Sequence, residues 1–173
     1  MSPGQVVMVS GFYKLGKPIA RIFELDLDVP EYRLWSSMLT YAGGALSDSP
    51  LHHRINEKTL PKFKPGKQSY ALLHFDRFVS NERALWIAEE EGYRKPAHPR
   101  AVLEAARRFD EGLPEELNLK PPYSLATLVP IYKDFGEQFV LRVEWDKELK
   151  RHPSSVMSDY LWEPEYCFLF EGS

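Results

Sequence analysis

From Ile19 to Leu27 the apolar positions Phe23, Leu25 and Leu27 alternate with Glu24 and Asp26, the two-residue period of a strand with one buried and one wet face. Asp28 then stands at a helix start with Pro30 just inside it. Leu34, Trp35, Met38, Leu39, Tyr41 and Ala42 fall on one arc, and Gly43-Gly44 ends the helix. Residues Ala45 to Gln68 hold few apolar positions and are expected to form a long irregular connection, a length often tied to function. Tyr70 to Phe75 is a compact apolar run and is expected to be a central strand, whereas Gln5 to Val9 carries only a weak strand signal.

Two amphipathic helices follow on either side of Gly92-Tyr93-Arg94-Lys95-Pro96-Ala97. Ser80 is a good N-cap for the first, whose apolar arc is Ala84, Leu85, Ile87 and Ala88, and Gly92 is placed as its C′ residue. The second starts at Pro99, where a missing N–H does no harm. Its inner face is Val102, Leu103, Ala105, Ala106 and Phe109, and its outer face Arg100, Glu104, Arg107 and Arg108. After a proline-rich connector from Glu111 to Pro122, the strands Ser124 to Tyr132 and Gln138 to Trp145 form a hairpin, with Asp134-Phe135-Gly136 as its turn. Tyr166 to Phe170 is a last strand. This order is not the regular alternation of a doubly wound parallel sheet. It predicts an α+β fold, a single domain over residues 1–173 with a mostly antiparallel sheet and about three helices.

Composition narrows the class. A chain of 173 residues with 43% hydrophobic content can bury roughly 70% of its unfolded surface in one core. One cysteine, Cys167, excludes an intrachain disulfide, and with no leader-like pattern at Met1 a cytoplasmic setting is expected. No apolar run reaches the roughly 20 residues of a membrane span. A net charge of −3 exerts no global pull on nucleic acid or anionic membranes.

The residues Leu72-Leu73-His74-Phe75-Asp76-Arg77, then Ser80 to Glu91, then Gly92-Tyr93-Arg94 and Pro96-Ala97, resemble a group of uncharacterised bacterial proteins with a strand, a helix, a G-Y/L-R-P-A turn and a second helix; Lys95 is inserted relative to that pattern. The resemblance carries no function. The same turn is similar, more distantly, to the G-Y-R-L-P-T segment of C-type-lectin-like folds such as the sulfatase-modifying-factor family, with Lys95 and Ala97 in place of leucine and threonine. That implies a lectin-like fold and no catalytic residue.

Chemistry-bearing residues are sparse. His74 and Asp76 share one strand face and, with His52 or His53 from the long connection, would make a small metal-dependent hydrolase; a hydrogen-bonded structural histidine is the simpler account. Cys167 lies in an apolar strand and is expected to be a buried hydrophobe rather than a nucleophile. The basic segments Lys62 to Lys67 and Lys147 to His152 lack the stacking rings of a nucleic-acid surface and are expected to be solvated. Trp86 falls among Glu82, Arg83, Glu89 and Glu90 on the polar side of its helix, where a covering element is expected. Arg94, Arg100, Arg107 and Arg108 could engage an acidic partner or a phosphate, while a solvated face with a single i,i+4 contact between Arg100 and Glu104 is the simpler account.

With no catalytic constellation, no metal site and no cofactor expected, the sequence points to a non-enzymatic binding or accessory module that holds a protein partner through Trp86, these arginines or the long connection. The alternatives are the hydrolase around His74 and Asp76 and a nucleic-acid-associated protein using the Lys62 to Lys67 loop.

Overall fold

The computed structural model describes residues 18–42, 50–55, 57–75, 77–110 and 124–172. Strand β1 is Ile19–Asp26, followed by a single 3-10 turn at Pro30–Tyr32, helix α1 at Trp35–Ala42 and a one-turn helix at Pro50–His53. Then come β2 (Lys67–His74), β3 (Val79–Ser80), α2 (Asn81–Glu90) and α3 (Pro99–Asp110). The remaining strands are β4 (Ser124–Asp134), β5 (Glu137–Trp145), β6 (Arg151–Met157), β7 (Leu161–Trp162) and β8 (Tyr166–Glu171). The fold is α+β, with no described helix long and apolar enough to cross a membrane.

Six strands form one sheet in the order β1-β2-β8-β4-β5-β6, every pair antiparallel except β8 with β4. The C-terminal strand thus enters the middle of the sheet, which explains its unbroken apolar run: Tyr166, Phe168 and Phe170 face one side, Cys167 and Leu169 the other, and all are buried. Against the first side pack α2 and the two-stranded β3–β7 ribbon, and against the second pack α1 and α3. The hairpin turn between β4 and β5 is Phe135-Gly136, both with positive φ, as a two-residue turn between twisted strands requires. β6 and the β3–β7 ribbon were not legible in the sequence. The Lys147 to His152 segment is a turn closed by Asp146, whose Oδ1 accepts the N–H groups of Glu148 and Lys150, followed by the start of β6.

α2 begins and ends as its sequence predicts. The Ser80 hydroxyl accepts the Arg83 N–H at 3.1 Å. At the other end Gly92 has φ 95°, its N–H meets Glu89 O at 3.0 Å, and Tyr93 N–H meets Ala88 O at 2.8 Å, the paired bonds of a Schellman cap.

The hexapeptide that follows does more than turn. Ala97 N–H donates to Leu169 O and Glu171 N–H to Lys95 O, so Lys95-Pro96-Ala97 pairs along β8 where β4 no longer does. The Thr127 hydroxyl donates to Ala97 O from the β4 side at 2.5 Å. Because α2 and α3 lie on opposite faces, this segment carries the chain through the plane of the sheet.

Three expected faces differ. Leu34 and Tyr41 stay exposed, because the 3-10 turn shortens α1 and rotates its arc onto Trp35, Met38, Leu39 and Ala42. Leu85 is 36% exposed, since only the alanines of α2 fit closely against the sheet. The third is the outer face of α3, taken up below. Gly43-Gly44 and the Glu111 to Pro122 connector lie outside the described residues.

A side chain at position 92 must sit in the left-handed region, which disfavours any residue but glycine by about 1–2 kcal/mol. Gly92→Ala is therefore expected to lower the urea midpoint by an amount equivalent to about 1 kcal/mol with an unchanged m value. An unaltered midpoint would show that the cap does not constrain the crossing.

Candidate functional site

At Arg100 and Glu104 the outer face of α3 is not a solvated surface. Arg100 is 0% exposed and Glu104 is buried, because the loop of residues 54–66 and the α1 region close over the helix. Arg100 Nε donates to Tyr32 O at 2.6 Å, and its Nη2 lies 2.8 Å from both carboxylate oxygens of Glu57. The expected i,i+4 contact to Glu104 is replaced by this long-range ion pair, and Glu104 instead takes Arg107, with Nε 2.7 Å from its Oε1. Glu57 also accepts the Trp35 N–H at 2.7 Å, so one carboxylate caps α1 and neutralises α3. Burial pushes its pKa upward, but the Arg100 bonds and charge and the Trp35 N–H outweigh that and leave it below the usual carboxylate value. The Phe63 ring covers the guanidinium at 4.7 Å and contacts His98.

His98 is the N-cap of α3. Its Nδ1 accepts the Arg100 N–H at 3.0 Å, which leaves the proton on Nε2, and that nitrogen donates to Pro61 O at 3.0 Å. Both nitrogens are engaged, one fastening the helix start and the other the loop. Desolvation lowers its pKa to about 4, with the Arg100 and Lys95 charges adding to the effect against the opposing Pro61 bond and Glu57 charge, so the ring is neutral near pH 7.

Beneath this loop, at the β1–β2–β8 end of the sheet, is a cavity of about 140 Å³. It is lined by Leu27, Gln68 and Tyr70 from β1 and β2, by Glu171 from β8, by Lys95 and His98 from the crossing segment, and by Lys62, Phe63 and Lys64 from the loop. Tyr70 and Glu171 are direct cross-strand partners and share a face. Lys95 Nζ lies 3.1 Å from Glu171 Oε2, and Gln68 Nε2 donates to Lys64 O. Tyr70 is 2% exposed and lines the cavity. Burial, and then the Glu171 charge, raises its pKa, so it remains a donor. Three lysines and one glutamate thus line a space beside the start of a twelve-residue helix.

The sequence candidates scatter around this cavity. Trp86 is 47% exposed, uncovered except for the Arg83 guanidinium 5.0 Å from its ring. Arg94 and Arg108 are exposed, while Arg107 is half-buried on Glu104 and the Tyr41 ring. His74 Nε2 meets Pro164 O at 2.7 Å, the structural role. Asp76 and the His52 side chain lie outside the described residues, and among those described no three of His, Cys, Asp and Glu gather as metal ligands do. Cys167 is fully buried, with burial pushing its thiol up to about 12. The Lys62 to Lys67 loop was singled out, but Lys67 pairs with Asp26 in the sheet and only Lys62, Phe63 and Lys64 reach the cavity. Tyr70, Lys95, His98 and Glu171 were missed. Their common signal, polar side chains closing an otherwise apolar strand or turn, identifies nothing until the strand order is known.

Comparison with protein-family models, with curated proteins and with solved structures finds no match to this chain.

Two consequences are measurable. Glu57→Ala leaves the Arg100 charge buried and unpaired and is expected to destabilise by about 3 kcal/mol, the low end for a buried pair because Glu57 is itself half exposed, whereas Glu57→Leu with Arg100→Met should lose less. A double variant no more stable than the single one would count against this. His98 contributes stability that is fully present above its ordinary pKa of 6.5 and is lost as the pH falls through about 4, since the unfolded chain takes up the proton first. Chemical denaturation between pH 7 and 4 should show that loss, and His98→Asn, which keeps an acceptor for the helix N–H, should flatten it.

Proposed function

We propose that the chain is a binding protein whose ligand is a small anion held in the Lys62, Lys64, Lys95 and Tyr70 cavity. The observation that carries this is the lining of the cavity, which brings three lysines and one glutamate together with the Tyr70 phenol, a group that burial keeps in its donor form. Lys62, Lys64 and Lys95 against Glu171 leave an excess of positive charge at the mouth of the recess, on side chains that stay exposed to solvent. A space of this size suits about six heavy atoms, benzene being the occupant of an engineered cavity near 150 Å³.

Binding rather than catalysis is supported by how the titratable groups are used. Both nitrogens of His98 are committed to the backbone, Tyr70 is held in its protonated form, and Cys167 is walled off with its thiol protonated. The partner in this reading is a small molecule; of the residues expected to meet a protein, Arg100 is spent inside the fold, while Trp86, Arg94 and Arg108 are exposed. A reducing, cytoplasmic setting suits the lone cysteine.

Isothermal titration of the protein with sodium phosphate, sulfate and malonate at pH 7.5 tests this. At least one anion is expected to saturate a single site. Tyr70→Phe should weaken it about tenfold, as for a lost hydrogen bond to a charged group, and Lys62→Ala with Lys64→Ala should weaken it further. Absence of saturable binding by all three, or equal affinity in the variants, would sink the proposal.

A further inference from the structure

Resting on that reading, we infer that the anion is hydrogen phosphate, a tetrahedral oxyanion that carries its own proton, and that Glu171 is the group that selects it. The cavity offers ammonium groups and a phenol but no guanidinium; Arg100, the nearest fork, sits behind Phe63 and is occupied by Glu57. Planar carboxylates are recognised best by the two parallel donors of arginine, whereas lysines act as point charges that can surround a tetrahedral anion from several sides.

The charge count agrees. Lys95 and Glu171 compensate one another at 3.1 Å, His98 is neutral near pH 7, and Lys62 and Lys64 remain to face a dianion.

The carboxylate is the informative part. An acceptor-only group inside an anion cavity repels any ligand oxygen that bears no hydrogen. Glu171 lines the cavity with its Oε2 held by Lys95, so Oε1 is the acceptor it has left to offer, and Gln68, whose amide nitrogen is used on Lys64 O, lines the same space with a carbonyl to offer. Hydrogen phosphate has an O–H to give to such an acceptor while its other oxygens take the lysines and the Tyr70 hydroxyl. Sulfate has the same shape and charge and nothing to donate. A phosphomonoester is mostly dianionic and without that proton at pH 7.5, and its ester group must also leave a space of about 140 Å³.

The test is competitive calorimetry at pH 7.5 with sodium phosphate, sulfate, malonate and glycerol phosphate on the full chain. Phosphate is expected to bind at least about tenfold more tightly than each of the others, the factor a charge-assisted hydrogen bond supplies. Glu171→Gln, whose amide can donate, should erase the preference over sulfate, and Tyr70→Phe should weaken phosphate and sulfate alike and keep their ratio. Equal affinity of native protein for phosphate and sulfate, or tighter binding of malonate or glycerol phosphate, overturns this inference while leaving the small-anion function standing. Binding of none of the four removes both. The native phosphate-to-sulfate ratio decides the matter even if Glu171→Gln does not fold.

Discussion

Arg100 is a cation with no exposed surface, and the rest of the α3 side of the molecule is arranged around that constraint. A buried guanidinium is costly unless its charge is offset and most of its donors are occupied, and here Nη1 alone of the guanidinium nitrogens has no hydrogen-bond partner among the described residues. Tyr32 O supplies one acceptor from the 3-10 turn, Glu57 supplies the counter-charge from the loop, and the Phe63 ring closes the remaining face. Two segments far apart in sequence, the 3-10 turn and the loop, are thereby fastened to the first turn of one helix. Glu57 gains twice, since the same carboxylate holds the Trp35 N–H at the start of α1.

The cavity is a by-product of this fastening. With Phe63 drawn onto Arg100 and His98, the lysines on either side of it are set over Tyr70 and Glu171. His98 closes the arrangement, capping the helix with one nitrogen and holding Pro61 O with the other. The crossing segment contributes Lys95 and the backbone pairing to β8 that puts Glu171 beside it. The residues of the proposed site and the fold-determining contacts therefore lie within a few residues of one another, and acid conditions that uncap α3 act on both.

Local order was legible where it depends on neighbours in the chain. Ser80 and Gly92 bound α2 because capping involves only residues three or four positions away. Phe135-Gly136 is a turn because two strands that pair across it need positive φ there. The alternation in β1 and β5 and the apolar run of β8 announced strands for the same reason. β6, with Pro153, Ser154 and Ser155, carries no such pattern and is held by pairing with β5.

The chain by itself determined its α+β character, the caps of α2, the start of α3 and a buried, unreactive Cys167. Tertiary structure alone decided that α2 and α3 lie on opposite faces of one sheet, that Arg100 and Glu104 are interior, that Trp86 is not covered, and that Tyr70 meets Glu171. The physical reason is the range of the forces involved. Caps, turns and amphipathic periods are settled within a few residues, whereas the burial of a charge depends on whether a partner such as Glu57, 43 residues away in sequence from Arg100, is brought within 3 Å of it.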